Sequence, residues 1–331
     1  MKTLSEIGES GLIPQFSEMF RSKDPAVLTG IGDDAAVLKP IRQKILLTTD
    51  ALLEGVHFDW RYTSPYLLGR KSLSVNLSDI AAMGGKPRWA LLSLAVPVRE
   101  SWERVEEFLR GLRDDARKWG VTVVGGDTDH SLKGWKISLS LVGEAQRPLV
   151  RSGAKKGDRI WVTGFLGDSA LGLQVLKRKV SNHQGAISPF IAAHLDPTPR
   201  LREGEELAKK GLATSLIDVS DGFLLDLQHL CEASRAGARI EASRIPFALG
   251  YFELCRRLKI DPLSLAMGGG EDYELLFTAP VGKTARVLET FRRLKTPVTC
   301  VGEIVARKEG VNVLDGKGHP LKFSKAGYRH F

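Results

Sequence analysis

Short runs of β-branched residues and leucine alternate along this chain with longer amphipathic stretches. The runs predict strands over residues 44–49, 89–96, 121–124, 136–142, 158–163, 214–218, 238–240, 273–278 and 299–304. The stretches predict helices over 66–83, 102–119, 169–180, 200–210, 224–236 and 283–294, the last two with apolar residues at three- and four-residue spacing. Segments 89–96 and 136–142 follow other strands or loops without a crossover helix long enough to make every pairing parallel. The pattern therefore predicts an α+β fold of two layered domains with mixed or antiparallel sheets.

The best boundary falls near residue 150, where Pro148, Gly153, Gly157 and several basic residues separate two strands, dividing 1–148 from 149–331. A second pause lies at Pro197 and Pro199, which end one helix and lead into the next. The longest apolar stretch, 90–98, is interrupted by Ser93 and Pro97. It is far short of the ~20 residues of a spanning helix, and the first residues hold no apolar run of signal-peptide length. A cytoplasmic protein without a membrane partner is expected.

Composition agrees with this picture and adds one question. At roughly 100–200 residues per domain, 331 residues suggest two domains. Hydrophobic residues at 43% and charged residues at 26% exclude a disordered or collagenous chain. Cys231, Cys255 and Cys300 are isolated, so neither a zinc ribbon nor a disulfide framework is expected. The net charge of +9 points to an anionic partner of unspecified kind: nucleic acid, anionic lipid or a small anionic substrate.

Five segments run against that charge. Gly32-Asp33-Asp34-Ala35-Ala36, Thr48-Thr49-Asp50, Asn76-Leu77-Ser78-Asp79, Gly125-Gly126-Asp127 and Asp218-Val219-Ser220-Asp221-Gly222 contain seven aspartates and no Lys or Arg. Each reads as the end of an apolar element that then presents a carboxylate, and any one alone reads as a turn or a cap. Together, carboxylates a few ångströms apart would repel by about 4 kcal/mol per close pair at a surface-like dielectric. A cation is required among them. Oxygen ligands with threonine hydroxyls, and no His or Cys in the set, suit Mg²⁺ rather than Zn²⁺. Magnesium held by few carboxylates completes its shell with water and phosphate oxygens, which implies a nucleotide. The chain has no Walker loop and no protein-kinase signature, so phosphates must be held another way.

These segments, with His57 seven residues after Asp50, Lys71 leading into Asn76–Gly84, Arg151-Ser152-Gly153-Ala154, Gly269-Gly270-Glu271-Asp272-Tyr273-Glu274-Leu275 and a closing Gly327-Tyr328-Arg329-His330-Phe331, resemble the thiamine-monophosphate kinase family. The motifs occur in family order over residues 30 to 277. The resemblance implies two domains of the aminoimidazole ribonucleotide synthetase type, with N-terminal halves pairing into a homodimer barrel and ATP at that interface. It implies transfer of the γ-phosphoryl group of ATP to thiamine monophosphate. By position it makes Asp33, Thr48, Thr49, Asp50, Asp79, Asp127, Asp218 and Asp221 ligands of several Mg²⁺ ions. Gly126, Asp127, Arg151 and Ser220 would line the ATP site. His57 and Glu271 would face thiamine monophosphate, with Phe323 packing on it and Tyr328 as the alternative.

The residue types agree with the implied chemistry. An acceptor phosphate has a second pKa of about 6 and is anionic near neutrality, so no general base is expected. Lys71 has two readings, a phosphate contact or an ordinary helix-surface lysine. Aminoimidazole ribonucleotide synthetase is the enzymatic alternative. Selenophosphate synthetase and the hydrogenase-maturation relative are disfavoured by the absence of cysteine before residue 231 and at the C-terminus. A basic nucleic-acid-binding protein would show lysines interleaved with aromatics, and this chain does not.

Overall fold

The computed structural model describes residues 3–7, 9–31, 35–180, 188–324 and 326–328. Asp33, in the first aspartate segment, lies outside the described residues. The chain divides into two units, residues 1–80 with 86–146, and residues 81–85 with 147–331.

The first unit begins with α1 (Leu4–Ile7), α2 (Glu9–Met19), β1 (Val27–Thr29) and β2 (Val37–Leu38). Then come β3 (Lys44–Leu53), α3 (Pro65–Ala82), β4 (Lys86–Val96), α4 (Trp102–Trp119), β5 (Thr122–His130) and β6 (Lys136–Ala145). Its main sheet has the order β3-β6-β4-β5, antiparallel except for the β4–β5 pair. Helix α4 starts at Ser101, whose side chain accepts from the Arg104 N–H, and stops at Gly120 in the left-handed conformation at φ 68°. Leu73, Leu77 and Ile80 of α3 are buried with Phe108, Leu109 and Leu112 of α4 and Leu92, Leu139 and Leu141 of the sheet. Where α3 meets α4 their backbones nearly touch: a Cβ on Gly69 would stand 2.0 Å from the Phe108 carbonyl oxygen. Only glycine fits there.

The second unit contains β7 (Arg159–Thr163), α5 (Asp168–Lys177), α6 (Ser188–Leu195), α7 (Leu201–Lys209), β8 (Ser215–Val219), α8 (Phe223–Ser234) and β9 (Ala236–Glu241). It continues through α9 (Tyr251–Leu258), α10 (Pro262–Gly268), β10 (Glu274–Ala279), α11 (Thr284–Leu294), β11 (Val298–Ala306) and β12 (Val311–Leu314). The sheet order is β12-β9-β11-β7-β10-β8, antiparallel apart from β12–β9. Ile160, Val162, Ile217, Val219 and Leu276 of the sheet are buried in one core with Leu171, Phe190, Phe223 and Leu227 of the helices. Mixed and antiparallel sheets in α/β layers are what the hydrophobic pattern predicts.

Two expectations need correction. The aspartates at 50 and 127 do not terminate elements: β3 runs on past Asp50 to Leu53, and β5 continues through Gly125 and Gly126 to His130. Glycines read as a stop are strand residues because β4 approaches too closely for any side chain. A Cβ on Gly126 would lie 1.8 Å from the Leu92 carbonyl oxygen. The short helices α2, α6, α9 and α10 were not apparent from the pattern, since segments of 7 to 11 residues give barely two turns of periodicity.

Candidate active site

Each unit carries its own group of the residues singled out above. In the first, Thr48 and Asp50 alternate along β3 with Thr49, so they occupy opposite faces of the strand. Thr48 and Asp50 are half-buried toward the helices, and the Thr48 hydroxyl donates to Asp79 Oδ2 of α3. Thr49 lies on the other face, where its Oγ1 accepts from the Ser140 hydroxyl at 3.1 Å. The structure thus joins Thr48 with Asp79 and directs the Thr49 side chain elsewhere.

Asp127 stands apart from them within this sheet. Asp50 pairs with Leu139, Leu139 with Leu92, and Leu92 with Gly126, so β3 and β5 are opposite edges of the sheet. Three strand spacings separate them, about 14 Å.

His57 sits on the turn after β3. The Leu53 N–H donates to His57 Nδ1 at 3.0 Å, while the His57 N–H donates to the Leu53 carbonyl at 2.9 Å. With Nδ1 accepting, Nε2 carries the proton of the neutral ring. Lys71 is 3% exposed, which rules out the surface-lysine reading: burial excludes solvation of its ammonium group.

In the second unit two motifs are fastened to each other. The Glu271 N–H donates to the Ser220 carbonyl at 2.7 Å and the Tyr273 N–H to the Val219 carbonyl at 2.8 Å. Glu271 and Tyr273 both adopt left-handed backbone, at φ 65° and 51°. Such strain in side-chain-bearing residues gathers at functional sites. Asp218, at the end of β8, pairs with Leu275 of β10, and Asp221 lies in the turn before α8. Asp226 Oδ2 accepts the N–H groups of Asp221 and Gly222 at 3.1 and 3.0 Å and so shapes that turn.

Burial, together with the charges of Asp218 and Asp221, pushes the Asp226 carboxyl up to about 8. Carboxylates gathered at one turn suit a hard cation, and ligand atoms of Asp221, Asp226 and His229 lie within 4.8 Å of one another. The oxygen donors of Thr48, Asp50, Asp79, Asp127, Asp218 and Asp221 fit Mg²⁺ by the same chemistry.

The Glu274 carboxylate accepts from Arg200 Nε at 2.7 Å and from the Thr163 hydroxyl at 2.6 Å. Asp272 caps α5, accepting from the N–H groups of Gly167 and Ser169 at 2.7 and 3.2 Å, although burial holds its carboxyl well above the usual range. Burial and the nearby Glu274 charge raise Asp168 to about 7. Arg151 is exposed, its carbonyl accepting from the Ser234 hydroxyl at 3.0 Å.

Of the two C-terminal aromatics, Phe323 packs against the hydrophobic core, whereas Tyr328 is 40% exposed and its N–H donates to the Asp221 carbonyl. Sequence reasoning passed over Asp226, His229 and His194. An Asp and a His three residues apart on α8 carried a helical-spacing signal. His194 carried none, because its partners are remote in sequence.

The two-unit architecture is that of the AIR synthase related proteins: residues 32–145 match the family's N-terminal domain and 155–315 its C-terminal domain. Thiamine-monophosphate kinase of Escherichia coli (strain K12) is 38% identical over 328 residues, 98% of each chain. The crystal structure of thiamine-monophosphate kinase from Stenotrophomonas maltophilia K279a superposes with a TM-score of 0.83 at 33% identity, covering 94% of this chain and 96% of that one. A structure described as AaThiL complexed with AMPPCP and TMP gives a TM-score of 0.77 at 35% identity, covering 100% and 99%. The chain belongs to the thiamine-monophosphate kinase family.

Proposed function

We propose that this protein transfers the γ-phosphoryl group of ATP to the phosphate of thiamine monophosphate, forming thiamine diphosphate and ADP. The observation that carries this reading is the carboxylate set of a family member, in which ligand atoms of Asp221, Asp226 and His229 lie within 4.8 Å of one another and burial, followed by the charges of Asp218 and Asp221, raises Asp226 to about 8. Such a set calls for cations and the phosphates they bring.

The residues divide by task. Thr48, Asp50, Asp79, Asp127, Asp218 and Asp221 hold magnesium, joined by Asp33, with Thr49 contributing from the opposite face of β3. Gly126, Asp127, Arg151 and Ser220 bind ATP. His57 and Glu271 bind thiamine monophosphate, and exposed Tyr328 is preferred to core-packed Phe323 as the aromatic beside it. When bound, Mg²⁺ supplies charge neutralisation between the two phosphates. The acceptor is already anionic, so the side chains need only position it and no residue is assigned as a base.

The exposed face of the first unit's sheet carries Leu47 at 77%, Ile45 at 58% and Leu91 at 43% exposure, and both its edge strands are open among the described residues. A second copy covering this face would form the family's homodimer. Among the described residues no helix is long and apolar enough to cross a membrane; a cytoplasmic setting is part of the proposed reading.

Incubation with ATP, Mg²⁺ and thiamine monophosphate should yield thiamine diphosphate and ADP, separable by chromatography. Folded protein that gives no thiamine diphosphate at saturating substrates would redirect the reading to an aminoimidazole ribonucleotide synthetase-like reaction.

A further inference from the structure

The carboxylate of Glu271 is gripped by a buried imidazole that belongs to none of the recognised motifs. His194, near the end of α6, is 3% exposed, and its Nδ1 lies 3.2 Å from Glu271 Oε2 and 3.1 Å from Ser169 Oγ. A carboxylate offers only acceptors, so this contact places the proton on Nδ1. The fully buried Ser169 hydroxyl oxygen, 3.1 Å away, shares that single N–H as a second acceptor, and the Ser169 N–H donates in turn to Asp272. Glu271 is therefore fixed twice. Its left-handed backbone is tied through its N–H to Ser220, and its side chain is tied to α6.

A glutamate has three rotatable side-chain bonds, and an untethered carboxylate samples many positions at an entropic cost when a ligand selects one. We propose that His194 is a positioning residue: its Nδ1–H holds the Glu271 carboxylate in the one orientation that receives the cationic thiazolium part of thiamine monophosphate. The proposal rests on the assignment of Glu271 to that substrate. Nothing in it involves the transferring phosphoryl group, so the effect belongs in binding of one substrate and not in turnover.

The donor's place separates this from a merely structural histidine. Asparagine puts an amide N–H close to where Nδ1 stands. Glutamine keeps the polarity and nearly the volume but carries its amide one bond further out, near the Nε2 position. His194→Leu and His194→Gln are expected to raise KM for thiamine monophosphate about tenfold, as loss of an orienting partner commonly does. KM for ATP and kcat should stay within about twofold, since only ground-state and transition-state binding of one substrate is lost equally. His194→Asn should recover most of the wild-type KM.

Circular dichroism and thermal midpoints identify any variant that fails to fold, and the Asn and Gln pair, matched in chemistry, carries the comparison if Leu does. Unchanged KM for thiamine monophosphate in folded His194→Gln, or equal losses for both substrates, would overturn the proposal. A wild-type protein that does not phosphorylate thiamine monophosphate at all would instead overturn the reading beneath it.

Discussion

The backbone N–H of Tyr328 donates to the carbonyl oxygen of Asp221 at 2.8 Å, and the Leu225 N–H donates to Ala326 at 3.1 Å. The end of the described chain is thereby laid against the turn that carries Asp221, one of the proposed magnesium ligands. A Cβ on Gly327 would meet the Leu225 Cβ at 2.6 Å, so this close passage needs glycine.

Tyr328→Ala is therefore expected to raise KM for thiamine monophosphate about tenfold while sparing KM for ATP. Gly327→Val should act in the same direction by displacing the segment, with little change in thermal midpoint. Steady-state kinetics with each substrate varied in turn checks both.

Asp50 and Asp127 occupy the two edge strands of one sheet, and neither is a cap whose loss would unravel an element. Asp50→Asn and Asp127→Asn should each lower turnover at least about a hundredfold by removing a charge from the metal set. Their circular dichroism spectra should match the wild type. Near-normal activity in both would sink the metal-binding assignment.

Arg200 and Glu274 form a largely buried ion pair to which the Thr163 hydroxyl adds a third hydrogen bond. Removing one partner leaves a charge without compensation in a low-dielectric setting. Arg200→Met should destabilise the second unit by about 3 kcal/mol. In urea unfolding this is a midpoint lower by roughly 1 M.

Asp168 retains its proton in the folded state up to about 7, whereas its ordinary value is 3.8. Between those values the native state binds more protons than the unfolded chain, so this carboxyl's contribution falls as pH rises through that window and levels off above it. Asp168→Asn, neutral at every pH, escapes that loss. The midpoint of the variant should rise relative to wild type between about pH 4 and pH 7 and hold a constant offset above that. A constant difference across the series would contradict the burial of the charge.

Leu47 is 77% exposed on the face proposed for a second copy. Leu47→Arg should abolish the dimer, as read by sedimentation velocity, because a buried unpaired guanidinium at the interface costs several kcal/mol. A wild-type protein that sediments as a monomer would refute the surface assignment directly.

Much of the fold was legible locally. The helix 102–119 has the bounds its pattern predicts, since amphipathic periodicity acts within neighbouring turns, and the structure closes it with a serine cap and a left-handed glycine. The glycines before Asp127 misled the reading of β5 because the same residue type serves a turn and a close strand contact. Only the neighbour, Leu92 of β4, distinguishes them.

For the site, the sequence by itself determined which side chains are available: seven aspartates in motif order, with threonine hydroxyls and no soft ligands. Tertiary structure alone decided which of them meet. It joined Thr48 to Asp79 across 31 residues, turned Thr49 to the opposite face, buried Lys71, brought Tyr328 to Asp221, and set His194 against Glu271. The physical reason is range. Propensity, capping and hydrophobic period are properties of adjacent residues, while a hydrogen bond between distant segments exists only after the sheets have fixed their register and the helices have packed on them.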